Sequence, residues 1–79
     1  MDVIDLTKDS SPIVAFQEAV DSSAPGVKII YHRGRVLAGS RMARAALAAF
    51  EMGQVELVQR RDKPSGFFEF IAIKKNAPH

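Results

Sequence analysis

Val55-Glu56-Leu57-Val58-Gln59-Arg60-Arg61 and Phe67-Phe68-Glu69-Phe70-Ile71-Ala72-Ile73 flank Asp62-Lys63-Pro64-Ser65-Gly66. Two β-branched and aromatic runs on either side of a connection bearing Pro and Gly read as a β-hairpin. Alternation puts Val55 and Leu57 on one face and Glu56 and Val58 on the other, so Leu57 is expected to face a core. In the second run Phe67, Glu69, Ile71 and Ile73 share a face, yet Phe68, Phe70 and Ala72 make the opposite face apolar too. A strand apolar on both sides is a surplus in a chain this small. It implies helices on both faces, a dimer or a binding surface.

Working back from the hairpin, residues 41–52 are mostly Ala, Met, Leu, Arg and Glu, with Ser40 placed to cap a helix and Gly53 placed to end it. At about 100° per residue, Met42, Ala43, Ala46, Leu47, Ala49 and Phe50 are predicted to form a broad buried face. Arg41, Arg44, Ala48 and Glu51 fall on the opposite arc. A first helix is predicted to start at Ser11-Pro12, to bury Ile13, Phe16 and Val20, and to stop before Pro25-Gly26. Val27 to Tyr31 reads as a short strand and His32-Arg33-Gly34-Arg35 as a basic bend. Val36 and Leu37 either extend a second short strand or pack as a loop plug.

These elements give an α+β fold of order α-β-α-β-β, with two helices packed on one face of a small three-stranded antiparallel sheet. The domain is expected over residues 11–75, with a flexible N-terminal arm at 1–10 and a flexible tail at 76–79. With 79 residues, 47% of them apolar, the chain can build one modest core and no second domain.

There is no cysteine. That excludes a disulfide staple, a thiolate zinc site and a cysteine nucleophile, and it fits a reducing compartment. The acidic start Met1-Asp2-Val3-Ile4-Asp5 lacks the basic flank and apolar run of an export signal, and no apolar segment approaches spanning length, so a cytoplasmic location is expected. Charge is unevenly distributed: residues 1–27 carry one Lys against five acids, and residues 28–75 carry ten Lys or Arg against four. Such a division can focus a positive field on one face and favour a polyanion or an acidic partner.

Catalysis has little support, because no carboxylate pair, metal-protease spacing or phosphate-binding loop is present and the only histidines are His32 and His79. His32 reads as an ordinary strand-end residue or a contact at a binding site. Asp2, Asp5 and Asp9 are spaced loosely and read as solubilising acids rather than a hard-cation site. No cofactor and no metal are implied.

Three cationic clusters point instead to nucleic acid. Arg41 and Arg44 lie about one turn apart near a helix N-terminus. Gln59, Arg60, Arg61 and Lys63 lie at the hairpin tip, where they can reach a phosphate backbone or a minor groove. Arg33 and Arg35 form the third. Phe68 and Phe70 are the candidate interface residues, for a homodimer or a protein partner.

The order helix, short strand, Arg-bearing helix and basic-tipped hairpin over residues 12–73 resembles the winged-helix domains of small bacterial and phage DNA-binding proteins. The likeness makes the helix with Arg41 and Arg44 the recognition helix and residues 54–73 the wing, and implies double-stranded DNA as the ligand. The chain departs from that pattern in lacking a clear third helix between Arg33 and Gly39. Tyr31-His32-Arg33-Gly34 with Leu57-Val58-Gln59-Arg60-Arg61 also resembles small phage or prophage proteins of unassigned activity. The functional expectation is a nucleic-acid-binding accessory or regulatory protein. The alternative is a small non-catalytic adaptor or assembly protein that binds a protein through an apolar sheet face.

Overall fold

The computed structural model describes residues 3–8, 10–34 and 41–76. The elements run β1 (Val3–Asp5), α1 (Pro12–Ser22), β2 (Lys28–Gly34), α2 (Arg41–Glu51), β3 (Val55–Arg61) and β4 (Phe68–Lys74). They form an α+β fold with two helices on a sheet, but the sheet has four strands, in the order β1-β2-β4-β3. The three-strand expectation is therefore corrected. The added strand pairs Val3 with Lys28, Ile4 with Ile29 and Asp5 with Ile30, in parallel. Three residues are too few to show a periodicity, and the pairing arises only when α1 carries the chain over to β2 as a β-α-β unit. Arg35, Val36, Leu37, the Ser40 cap, Asp2, Asp9 and the tail from Ala77 to His79 lie outside the described residues.

One face of the sheet carries both helices. Phe16, Ala19 and Val20 of α1 and Met42, Ala46 and Ala49 of α2 pack into one core with Leu6, Ile29, Tyr31, Val55 and Ala72. Phe16, Ile29 and Val55 are its largest fully buried side chains. Antiparallel pairing sets Ile29 beside Ala72, and Ala72 beside Leu57, so these three share the helix side. The register shifts between Ile30 and His32, where β2 carries an extra residue. Alternation from Ile29 already turns Tyr31 into the core, with its ring edge-on to Phe16 at 5.4 Å between centroids, and burial pushes its phenol pKa up; the bulge brings His32 to the same side.

The ends of the helices are tied off in different ways. Pro12 opens α1 next to Ser11, whose carbonyl accepts from the Ala15 amide at 3.0 Å, but Ser11 supplies no side-chain cap bond. At the other end the Lys74 ammonium donates to the Val20 carbonyl, so β4 caps α1. In α2 the Gln54 amide donates to the Ala49 carbonyl and the Gly53 amide to the Phe50 carbonyl, both at 3.0 Å, with Gly53 at φ +76. This is a Schellman ending, and the chain leaves it straight into β3. A Cβ at Gly53 would meet nothing within 4 Å, so Gly53→Ala carries only the left-handed backbone cost. We expect it to lower stability by about 1 kcal/mol, read as a shifted urea midpoint at unchanged slope.

The buried face expected for α2 needs a second correction. Met42, Ala46 and Ala49 are buried, but Leu47 and Phe50 are each about half exposed, at 50% and 49%. Ala45, Ala48 and Met52 line a groove shared with Phe16 and Val20 of α1. The helix has therefore rolled its alanines toward α1 and the sheet, which lets the backbones approach closely. Its larger residues are left on the far flank.

Candidate functional site

All the sequence-derived cations among the described residues sit toward one end of the fold, where β2 finishes, the hairpin turns and α2 begins. Pairing places Gly34, Phe68 and Arg61 in one row across β2, β4 and β3, and Arg33, Glu69 and Arg60 in the row before it. Met42, in the first turn of α2, lines a hollow with Leu6, Tyr31, His32 and Arg33, so the α2 N-terminus lies over this end of β2.

The two rows face opposite ways. Arg33, Glu69 and Arg60 lie on the side of the sheet that carries no helix. Arg33 Nη2 donates to Glu69 Oε2 at 2.7 Å, and Arg60 donates to Glu69 Oε1 through Nε at 3.1 Å and Nη2 at 2.5 Å. Arg33 also stands 3.7 Å from Asp5 Oδ2. Only 7% of Glu69 is exposed, and hydrogen bonds first from Arg60 and then from Arg33 hold its carboxyl below the usual range despite that burial. Two of the proposed phosphate contacts, Arg33 and Arg60, are thus bound to a carboxylate of their own chain. The Arg60–Glu69 half of this arrangement follows from hairpin register alone. The Arg33 half depends on the bulge, which no sequence signal marks.

Arg61 lies on the opposite, helix-bearing side, and Arg41 and Arg44 are exposed on α2. None of Arg41, Arg44, Arg61 and Lys63 forms an ion pair among the described residues. Lys63 rides on a tip built by Asp62, whose amide donates to the Phe67 carbonyl at 2.7 Å and whose carboxylate accepts from the Ser65 hydroxyl at 2.8 Å. Gly66, at φ +75, closes that turn. Gln59 is exposed on β3.

Phe70 is turned to the helix side and packs against the core. It also meets His32 at 5.5 Å between ring centroids. Phe68 shares that side and is half-buried. The face without helices carries Val3, Ile30, Val58, Ile71 and Ile73 around a hollow of about 200 Å³. Asp5 is occupied locally, accepting from the Thr7 amide at 2.9 Å and the Thr7 hydroxyl at 2.6 Å, and these bonds lower its pKa. Among the described residues there is no group of three His, Asp or Glu able to hold a metal ion, and no helix long and apolar enough to cross a membrane.

No protein-family model, curated protein or solved structure matches this chain. The functional reading therefore rests on its own residues.

Proposed function

We propose that the chain is a non-catalytic nucleic-acid-binding accessory or regulatory protein that contacts phosphates with Arg41, Arg44, Arg61 and Lys63. The observation that carries this reading is the division among the cations. Arg33 and Arg60 share the single carboxylate of Glu69 as ion-pair partner, whereas these four are exposed and make no ion pair among the described residues. Amides of the first turn of α2 would add to the pull on a phosphate beside Arg41 and Arg44. Double-stranded DNA is the expected ligand, and Arg35 remains a candidate contact.

The test is anisotropy titration of a short labelled duplex at several salt concentrations. Four phosphate contacts predict a log–log salt slope of about −3 to −4. Arg41→Ala with Arg44→Ala should flatten that slope by about 2. Arg61→Ala should weaken binding more than Arg60→Ala, because Arg60 is already engaged. Binding that ignores salt, or equal losses at positions 60 and 61, would remove the proposal.

A second reading has one observation in its favour. Val3 and Val58 are 56% and 40% exposed beside the hollow on the uncovered sheet face, which suits a protein partner. A small adaptor would bind there with little salt dependence, and Val58→Asp would abolish the interaction.

A further inference from the structure

The second edge of the sheet is a seven-residue strand, Val55–Arg61, which among the described residues pairs only with β4. It contains no proline, and its register with β4 runs without a shift. Two of the devices that blunt an edge, proline and a bulge, are therefore missing, while Glu56, Arg60 and Arg61 place charge along it. The direction of its free groups can be worked out from its neighbours. The Asp62 amide donates to the Phe67 carbonyl, and the Gln54 carbonyl accepts from the Lys75 amide. Alternation then turns the backbone groups of Glu56, Val58 and Arg60 toward β4, and those of Val55, Leu57, Gln59 and Arg61 outward.

We propose that a second copy of this chain pairs with that edge, β3 to β3 and antiparallel, about a two-fold axis through Val58. In this register Leu57 of each copy exchanges backbone hydrogen bonds with Gln59 of the other, and Val55 does so with Arg61. All of these are the outward-turned residues. Glu56 of each copy falls opposite Arg60 of the other, twice by symmetry, in the closely spaced pairs where side chains meet best. Glu56 makes no ion pair among the described residues. Arg60 has donors left after Glu69 takes two of its N–H groups. The edge is therefore complementary in charge to itself in one register. A shift by one residue would break both salt links and set outward-turned residues opposite ones whose amides are already committed to β4.

An independent observation lies on the same side of the molecule. α1 packs on β2 and α2 on β3, and Ala45, Ala48 and Met52 occupy the α2 flank toward α1. At about 100° per residue, Leu47 and Phe50 are on the other flank, toward the β3 edge. Both are about half exposed, two of several large apolar residues the monomer leaves uncovered, Met52 on the α1 flank among them. The axis through Val58 is perpendicular to the sheet, so it keeps both helix layers on one side and brings the two α2 flanks to face each other over the junction. A closed two-fold contact of this kind satisfies strand edge and helix flank together.

Sedimentation velocity over a concentration series tests this with the full chain and no nucleic acid, so its outcome is separate from that of the DNA titration. The wild-type chain should be a dimer. Gln59→Pro should be a folded monomer by circular dichroism, because the amide it removes has no partner among the described residues. Glu56→Arg alone should be monomeric, since it sets arginine against Arg60. Arg60→Glu alone should be monomeric for the converse reason, with Arg33 still holding Glu69. Mixing the two should restore a dimer containing one of each, because both cross-axis pairs become opposite in charge. Phe50→Ser should weaken dimerisation at least tenfold. A monomeric wild type, a dimer unaffected by Gln59→Pro, or a mixture that stays monomeric would overturn the proposal.

Discussion

Phe16→Ala is expected to bring this protein to the edge of unfolding, with a loss of about 3–5 kcal/mol. The side chain is 1% exposed and lies among α1, α2 and β2, with its ring against Tyr31. Truncation removes both the apolar transfer gain and an aromatic contact, and the cavity sits between a helix pair and a bulged strand that cannot collapse onto it together. A chain of this length has only about 4–12 kcal/mol in total. Urea unfolding followed by circular dichroism should show either a midpoint shifted far down or a chain largely unfolded without denaturant. A shift of under 1 kcal/mol would mean that the ring does not hold the two layers together.

Glu69→Ala is the second large effect, and it should depend on pH. The carboxylate is 7% exposed, but the side chains of its partners Arg33 and Arg60 are 38% and 68% exposed, so water screens much of the attraction. We expect a loss of about 1–2 kcal/mol at neutral pH, well short of a fully buried ion pair. The folded pKa of Glu69 lies below its ordinary 4.5. A depressed carboxyl pKa contributes stability that is complete above the unfolded value and is lost as pH falls through the folded one. Asp5, also lowered, acts in the same direction. The wild type should therefore lose stability progressively below about pH 4.5, while Glu69→Ala keeps the Asp5 component without that of Glu69 and gives a flatter profile. Parallel profiles for the two proteins would show that Glu69 does not anchor the row it shares with Arg33 and Arg60.

Both expectations concern residues whose surroundings were unequally legible in the sequence. The helix containing Phe16 follows from Ser11-Pro12 and the spacing Ile13, Phe16, Val20, and the helix ending at Gly53 follows from composition and a glycine stop. The hairpin itself was readable but its register was not: closure at Asp62 and Phe67, one residue beyond the expected strand end, sets Arg60 opposite Glu69. β1 was not readable, because three residues leave no pattern and their partner lies across a helix. Nor was the orientation of α2, whose alanines and larger apolar residues are nearly equivalent on a hydrophobicity scale. Small residues won the inward positions because they allow close approach, and Leu47 and Phe50 were displaced outward. At the candidate site, residue types showed where cations were, but which of them are ion-paired depended on a strand register that only the folded chain fixes.

The extra residue in β2 sets the parity of everything after it. Were Tyr31 paired in plain alternation instead of bulged, Arg33 and Gly34 would swap sides, sending a guanidinium toward the helices and leaving Glu69 with one arginine. A Cβ added at Gly34 would stand 3.1 Å from His32 Nε2, so the smallest side chain occupies the step that lets the imidazole lie against Phe70. Bulging at Tyr31 thus sorts two adjoining side chains into separate environments, one apolar and one ionic. Deleting Tyr31 would keep His32 opposite Phe70 and Arg33 opposite Glu69 in unbroken alternation, so what the bulge adds is one more ring in the core.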